Sequence, residues 1–156
     1  MPGKENPMRK KILTVLIVLL LAFIWGNSML PTGKSEKISQ RVTNAVNTEA
    51  RSAVSSAPAR RFTDGQIRKA AHFAEYAALG LLALCRLSES GFRLRKAWPH
   101  LTLFGLGTGF LDETIQIFSG RTASIKDVWL DFAGFTFGVL LMLLLHLLFR
   151  RKRVKA

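Results

Sequence analysis

The stretch DVWLDFAGFTFGVLLMLLLHLLF, residues 127–149, decides the fold. From Phe132 to Phe149 it carries no charged side chain. At 1.5 Å of rise per residue, about 20 apolar residues cross the hydrocarbon core of a bilayer, so this run can span one. Residues 12–33 form a second charge-free run of that size. Residues 97–111 and 76–85 are also charge-free but reach spanning length only with their polar flanks included. The pattern predicts an all-α integral membrane protein with four transmembrane helices, roughly 11–30, 66–87, 97–118 and 125–149. Trp25, Trp98 and Trp129 each fall near a predicted helix end, where interfacial aromatics collect.

Composition agrees. About half of the 156 residues (49%) are hydrophobic, yet the chain carries a net charge of +13. The basic residues cluster. Lys4, Arg9, Lys10 and Lys11 precede the first apolar run; Arg86, Arg93, Arg95 and Lys96 lie between the second and third; Arg150, Arg151, Lys152, Arg153 and Lys155 close the chain. In a four-span chain these segments share one side, so both termini are expected in the cytoplasm. The charge then reports topology and attraction to anionic lipid rather than nucleic-acid binding. Arg9, Lys10 and Lys11 ahead of an apolar run also suit a signal peptide, but no Ala-x-Ala-like site follows, and the first helix is expected to stay as an anchor. Cys85 is the single cysteine, which excludes an intramolecular disulfide, and no Cys/His zinc spacing is present.

The chain divides into a cytoplasmic tail with its first anchor (1–30), an extracytoplasmic loop (31–65), a three-helix core (66–149) and a basic tail (150–156). The loop carries six Lys/Arg of its own, spread thinly. Ile38, Val42, Ala45, Val46, Ala53 and Val54 recur at roughly helical spacing there. This segment, 35–57, is expected to be either an interfacial amphipathic helix or a polar linker.

The polar residues inside the apolar stretches are costly, on the order of 2.5–3.5 kcal/mol for a carboxylate near the centre of a spanning helix. Arg68, His72 and Glu75 share one face of the second predicted helix. Asp112 and Gln116 share a face of the third with Gly105 and Gly109, and Asp127 and Asp131 share a face of the fourth with Gly134 and Gly138. Small residues mark close packing between membrane helices, so these faces are expected to meet in one outward-opening cavity.

The same residues carry a resemblance. Arg68-Lys69-Ala70-Ala71-His72-Phe73-Ala74-Glu75-Tyr76 resembles the Arg-Lys-x-x-His-Phe-x-Glu-Tyr signature of VanZ-like membrane proteins. Asp112-Glu113-Thr114-Ile115-Gln116-Ile117-Phe118, then Gly120-Arg121, is similar to that family's second block, and Ser124, Asp127-Val128, Asp131 and Gly134 continue it. The resemblance covers about residues 66–140 and implies a multi-pass protein of the bacterial cytoplasmic membrane, whose namesake is associated with resistance to the glycopeptide teicoplanin. It implies a functional cluster of Arg68, Lys69, His72, Glu75, Tyr76, Asp112, Glu113, Gln116, Arg121, Asp127 and Asp131, and assigns none of them a catalytic role.

The residue chemistry leaves several readings open. Arg68, Lys69 and Arg121 suit a phosphate or pyrophosphate, as in a lipid-linked cell-wall precursor, or a glycopeptide antibiotic. His72, Glu75, Asp112 and Asp131 suit Zn²⁺, Mn²⁺ or Mg²⁺ in a metal-dependent hydrolase or transferase, although no HExxH motif or Gly-rich phosphate loop is present and no cofactor is required. The same groups suit a purely structural ion-pair network or proton passage. Ser124 is expected to cap the last helix, and His100 and His146 to be interfacial or packing residues. Membrane lipids are the expected surroundings, and the oligomeric state is left open.

Overall fold

A computed structural model describes residues 6–53, 62–90 and 94–154. They form five helices: α1 (Pro7–Ser28), α2 (Thr32–Ala53), α3 (Asp64–Ser88), α4 (Leu94–Phe118) and α5 (Ile125–Val154). No strand occurs among them. Lys4, Val54 and Arg93 lie outside the described residues, as do the side chains of Ala53, Arg95 and the tail from Phe149 onward.

Local sequence sets the helix starts. The Asn6 side chain accepts from the backbone of Met8 and Arg9, and Pro7 takes the first helical position, where its missing N–H costs nothing. A capping box opens α3: the Thr63 side chain accepts from the Gln66 N–H, and the Gln66 side chain accepts from the Thr63 N–H. At α5 the Ser124 hydroxyl accepts from the Lys126 N–H, as its expected capping role requires.

Three helices are long and apolar enough to cross a membrane: α1, α3 and α5 through Leu148. Helix α4 is as long as α3, at 25 residues, but Pro99, His100, Asp112, Glu113 and Gln116 dilute its apolar character. Leu19, Leu103, Phe110, Leu140 and Leu144 are exposed, as side chains facing hydrocarbon would be. The buried core is built from Ile24, Tyr76, Leu79, Leu84, Leu101, Phe135 and Val139.

Contact between α3 and α5 is the most extensive in the bundle. It is a glycine seam. A Cβ on Gly134 would meet the Phe73 carbonyl oxygen at 2.5 Å, and one on Gly138 would meet that of Ala77 at 1.8 Å. From the other side, a Cβ on Gly80 would lie 2.0 Å from the Phe135 carbonyl oxygen. The contacts advance by four residues on both helices, so α3 and α5 run parallel. Helix α4 runs against α5: Gly105 faces the Phe135 ring, and Gly109 faces Asp131 at 3.4 Å. Helix α1 is tied at both ends, by Arg86 donating to Thr14 (2.9 Å) and by Ser119 donating to the Ser28 carbonyl (2.6 Å).

Residues 32–53 are a helix rather than a linker. Its polar side holds the start of α3: Ser39 and Thr43 donate to the Asp64 carboxylate, and Asn47 both donates to and accepts from the Phe62 backbone.

The seam generates a test. Gly138→Leu places four carbons where backbone already sits, and overpacking of this kind costs typically about 1–3 kcal/mol. A markedly lower melting temperature in detergent is expected. Gly107→Ala, which meets nothing within 4 Å, is expected to leave it unchanged. Equal tolerance of both would mean the seam is not tight.

Candidate functional site

The seam fixes where the polar residues go. Because Gly134 sits against Phe73, Asp131 comes up beside His72 one turn nearer the start of α5; because Gly109 sits against Asp131, Asp112 follows on α4. His72 Nδ1 lies 3.8 Å from Asp112 Oδ2, 3.9 Å from Glu75 Oε2 and 4.0 Å from Asp131 Oδ1. These separations exceed hydrogen-bond length. Asp112 is 0% exposed and Asp131 1%. Asp112 Oδ1, Asp131 Oδ2 and His72 Nδ1 are all buried without a hydrogen-bond partner.

Glu113 and Gln116 differ from these. The Gln116 amide donates to Asp112 Oδ2 (2.9 Å) and to Glu113 Oε1 (3.0 Å). The other Glu113 oxygen accepts from the Ser124 N–H at 2.8 Å, tying the end of α4 to the start of α5. Glu75 is hydrogen-bonded to Asn27 of α1. Tyr76 is fully buried and its hydroxyl donates to the Thr108 carbonyl at 3.1 Å, a packing contact between α3 and α4.

Above this floor a cavity of about 310 Å³ opens between the starts of α3 and α5. Arg68, Lys69, His72, Glu113, Gln116, Arg121, Asp127 and Asp131 line it. Of the sequence-predicted cluster, Glu75, Tyr76 and Asp112 stand behind the wall, while Glu36, Gly65, Gly120, Thr122 and Leu130 join the lining. Glu36 comes from α2, and no spacing rule could have placed it there. Lys69 pairs with Asp127 at 3.3 Å and Arg68 with Asp64 at 3.6 Å.

Two guanidinium groups at the mouth are incompletely satisfied: Arg68 Nε and Arg121 Nε are buried without a partner. Arg121 lies in the turn between α4 and α5, where burial, and next the nearby Arg68, push its pKa below the ordinary arginine value. It stays charged at neutral pH, and both effects favour an added anion beside it. The site therefore has a mouth of mixed charge, with Arg68, Lys69 and Arg121 beside Glu36 and Asp127, and an acidic floor. His72, Asp112 and Asp131 each offer a ligand atom, all within 4.8 Å of one another, and these are the residues that could hold a metal.

The fold and site define a small all-helical protein with three helices of membrane-spanning character and a polar cavity sunk into one end of the bundle. The chain belongs to the VanZ/LLP1 family, whose model matches residues 13–148, from within α1 to the apolar end of α5. No curated protein and no solved structure matches it.

Hydrogen bonding separates two roles within the cluster. Glu113→Ala strands the Ser124 N–H and one Gln116 proton, and loss of a partner for a buried donor costs about 1–3 kcal/mol. The expected result is a lower melting temperature. Asp131→Asn, which gives up no short hydrogen bond, is expected to keep the wild-type value or exceed it. The reverse order would show that Asp131, not Glu113, holds the bundle together.

Proposed function

We propose that the cavity binds the phosphate or pyrophosphate head of a lipid-linked envelope precursor. The site would lie at the outer face of the bacterial cytoplasmic membrane, with α4 completing four spans and both termini inside. The observation that carries this reading is the pair of half-buried arginines, Arg68 and Arg121, whose buried Nε atoms have no partner at the mouth of a cavity large enough for such a head. Arginine offers a fork of donors that matches phosphate oxygens in pairs. Lys69 adds a third cation, and its partner Asp127 is near enough to orient it without filling the cavity.

The membrane supplies the rest of the specificity. A polyprenyl tail would lie along the exposed apolar faces of α4 and α5, where Phe110, Phe118 and Trp129 stand at the level of the cavity. The namesake of the VanZ-like family is associated with teicoplanin resistance, and such a role would follow here if occupancy of the precursor head or of the lipid-tailed drug changed what the antibiotic can reach.

The direct test is titration of the detergent-solubilised full chain with a polyprenyl pyrophosphate, followed by microscale thermophoresis. Hydrogen bonds to charged groups contribute about 1.5–3 kcal/mol, so Arg121→Ala and Arg68→Ala are each expected to weaken binding roughly tenfold to a hundredfold. Added salt should weaken the wild type as well. Binding that ignores both substitutions rejects this site. In cells, protection against teicoplanin is expected to fall in the same variants at matched membrane abundance, with vancomycin as the comparison drug.

A further inference from the structure

We propose that His72, Asp112 and Asp131 form a divalent-cation site in the floor of the cavity. The three residues come from three different helices, α3, α4 and α5, and converge because of the glycine seam. Their ligand atoms lie within 4.8 Å of one another. An ion with bonds of about 2.1 Å holds its ligands roughly 3.0–4.2 Å apart, depending on geometry. The 3.8 Å and 4.0 Å separations from His72 Nδ1 to the two aspartates already fall in that range.

Two independent observations raise this above a mere group of acids. First, Asp112 Oδ1, Asp131 Oδ2 and His72 Nδ1 are buried and have no hydrogen-bond partner. A buried polar atom left without a partner costs free energy, and carboxylates cost most. Second, His72 Nδ1 stands too far from either aspartate for a direct hydrogen bond, while the two aspartates place carboxylate oxygens within 4.8 Å of each other, where like charges repel. A dication resolves both problems: two carboxylates balance its charge, and the imidazole nitrogen becomes a ligand.

The donor set selects the ion. One imidazole and two carboxylates suit Zn²⁺ or Mn²⁺, whereas Ca²⁺ takes six to eight oxygens and is poorly served. His72 and Asp131 line the cavity, so the open coordination positions face it. The site stands on the cluster alone; that those positions accept a phosphate oxygen rests on the reading given above.

The experiment uses the metal alone. The full chain in detergent, stripped with chelator and dialysed free of phosphate, is titrated with Mn²⁺, Zn²⁺ and Ca²⁺, and bound metal is measured by plasma mass spectrometry. One Mn²⁺ or Zn²⁺ per chain is expected, with Ca²⁺ at least about tenfold weaker. Asp131→Asn and His72→Gln should each weaken Mn²⁺ by at least about tenfold, since even outer-shell changes at metal sites reach that size. Glu89→Gln, at the far end of α3, should bind as the wild type does. Absence of saturable binding, or equal binding by Asp131→Asn, overturns the site. Should a variant fail to fold, pulsed electron paramagnetic resonance of Mn²⁺ on the wild type still decides: ¹⁴N modulation from an imidazole supports the site, and its absence overturns it. Because no phosphate is present, failure here leaves the phosphate reading standing, and failure of that reading leaves this one.

Discussion

Everything in this protein depends on how closely two helix backbones approach. Gly134 and Gly138 on α5 and Gly80 on α3 leave no room for a Cβ, so carbonyl oxygens of one helix rest directly on the glycines of the other. In a bilayer this is the available route to tight helix pairing, because lipid tails are as apolar as leucine and burying leucine gains little. A close seam has a second consequence: it fixes axial register. Phe73 opposite Gly134 and Ala77 opposite Gly138 leave no freedom to slide, and therefore none for His72 relative to Asp131. The third helix is registered by the same device, with Gly105 against the Phe135 ring and Gly109 against Asp131.

Register matters because the polar groups are useful only as a set. The cations Arg68, Lys69 and Arg121 stand at the mouth, within reach of water, and the carboxylates Asp112 and Asp131 stand at the floor, out of it. Charged groups in low dielectric interact strongly, so a mouth of paired charges above and unpartnered carboxylates below gives the cavity two distinct layers. On the two proposals made above, an anionic head would occupy the upper layer and a small cation the lower. Among the described residues, the opposite end of the bundle has no such layering. The space there is lined by Leu84, Leu87, Ala97, Met142, Leu143 and His146, with Ser88 as its other polar group.

Much of this was legible from sequence. The expected segments 11–30, 66–87, 97–118 and 125–149 are helical, as α1, α3, α4 and α5 with ends shifted by a few residues, and three of them, α1, α3 and α5, have membrane-spanning character. The shifts have local causes: the Asn6–Pro7 cap extends α1 toward the basic tail, and the Thr63–Gln66 box starts α3 early. Helical periodicity placed Arg68, His72 and Glu75 on one face, and the glycines announced which faces would meet. What periodicity cannot deliver is the partner in three dimensions. Glu36 reaches the cavity and Asp64 receives Ser39 and Thr43 only because α2 folds back on the start of α3. Nor does the family-like run at 68–76 reveal that Tyr76 turns its hydroxyl to Thr108 rather than to the cavity.

The structural and the functional reading of the cluster need not compete, because the residues sort themselves by satisfaction. Glu113 uses both carboxylate oxygens, and Gln116 spends both amide protons. Such groups are finished in that both carboxylate oxygens and both amide protons are engaged, and they join α4 to the turn before α5. Arg68, Arg121, His72, Asp112 and Asp131 are unfinished, each with a buried polar atom that meets no partner. A network whose only task was register would gain by completing those bonds, or by replacing the residues with apolar side chains of similar volume, a change that is often neutral or stabilising for buried ion pairs. The finished groups lie beside the unfinished ones on the same helix turns, as Glu113 does beside Asp112, so the same backbone that is locked by the first set presents the second. The stability of the bundle and the open bonding capacity of its cavity are thus carried by neighbouring residues with opposite hydrogen-bonding states.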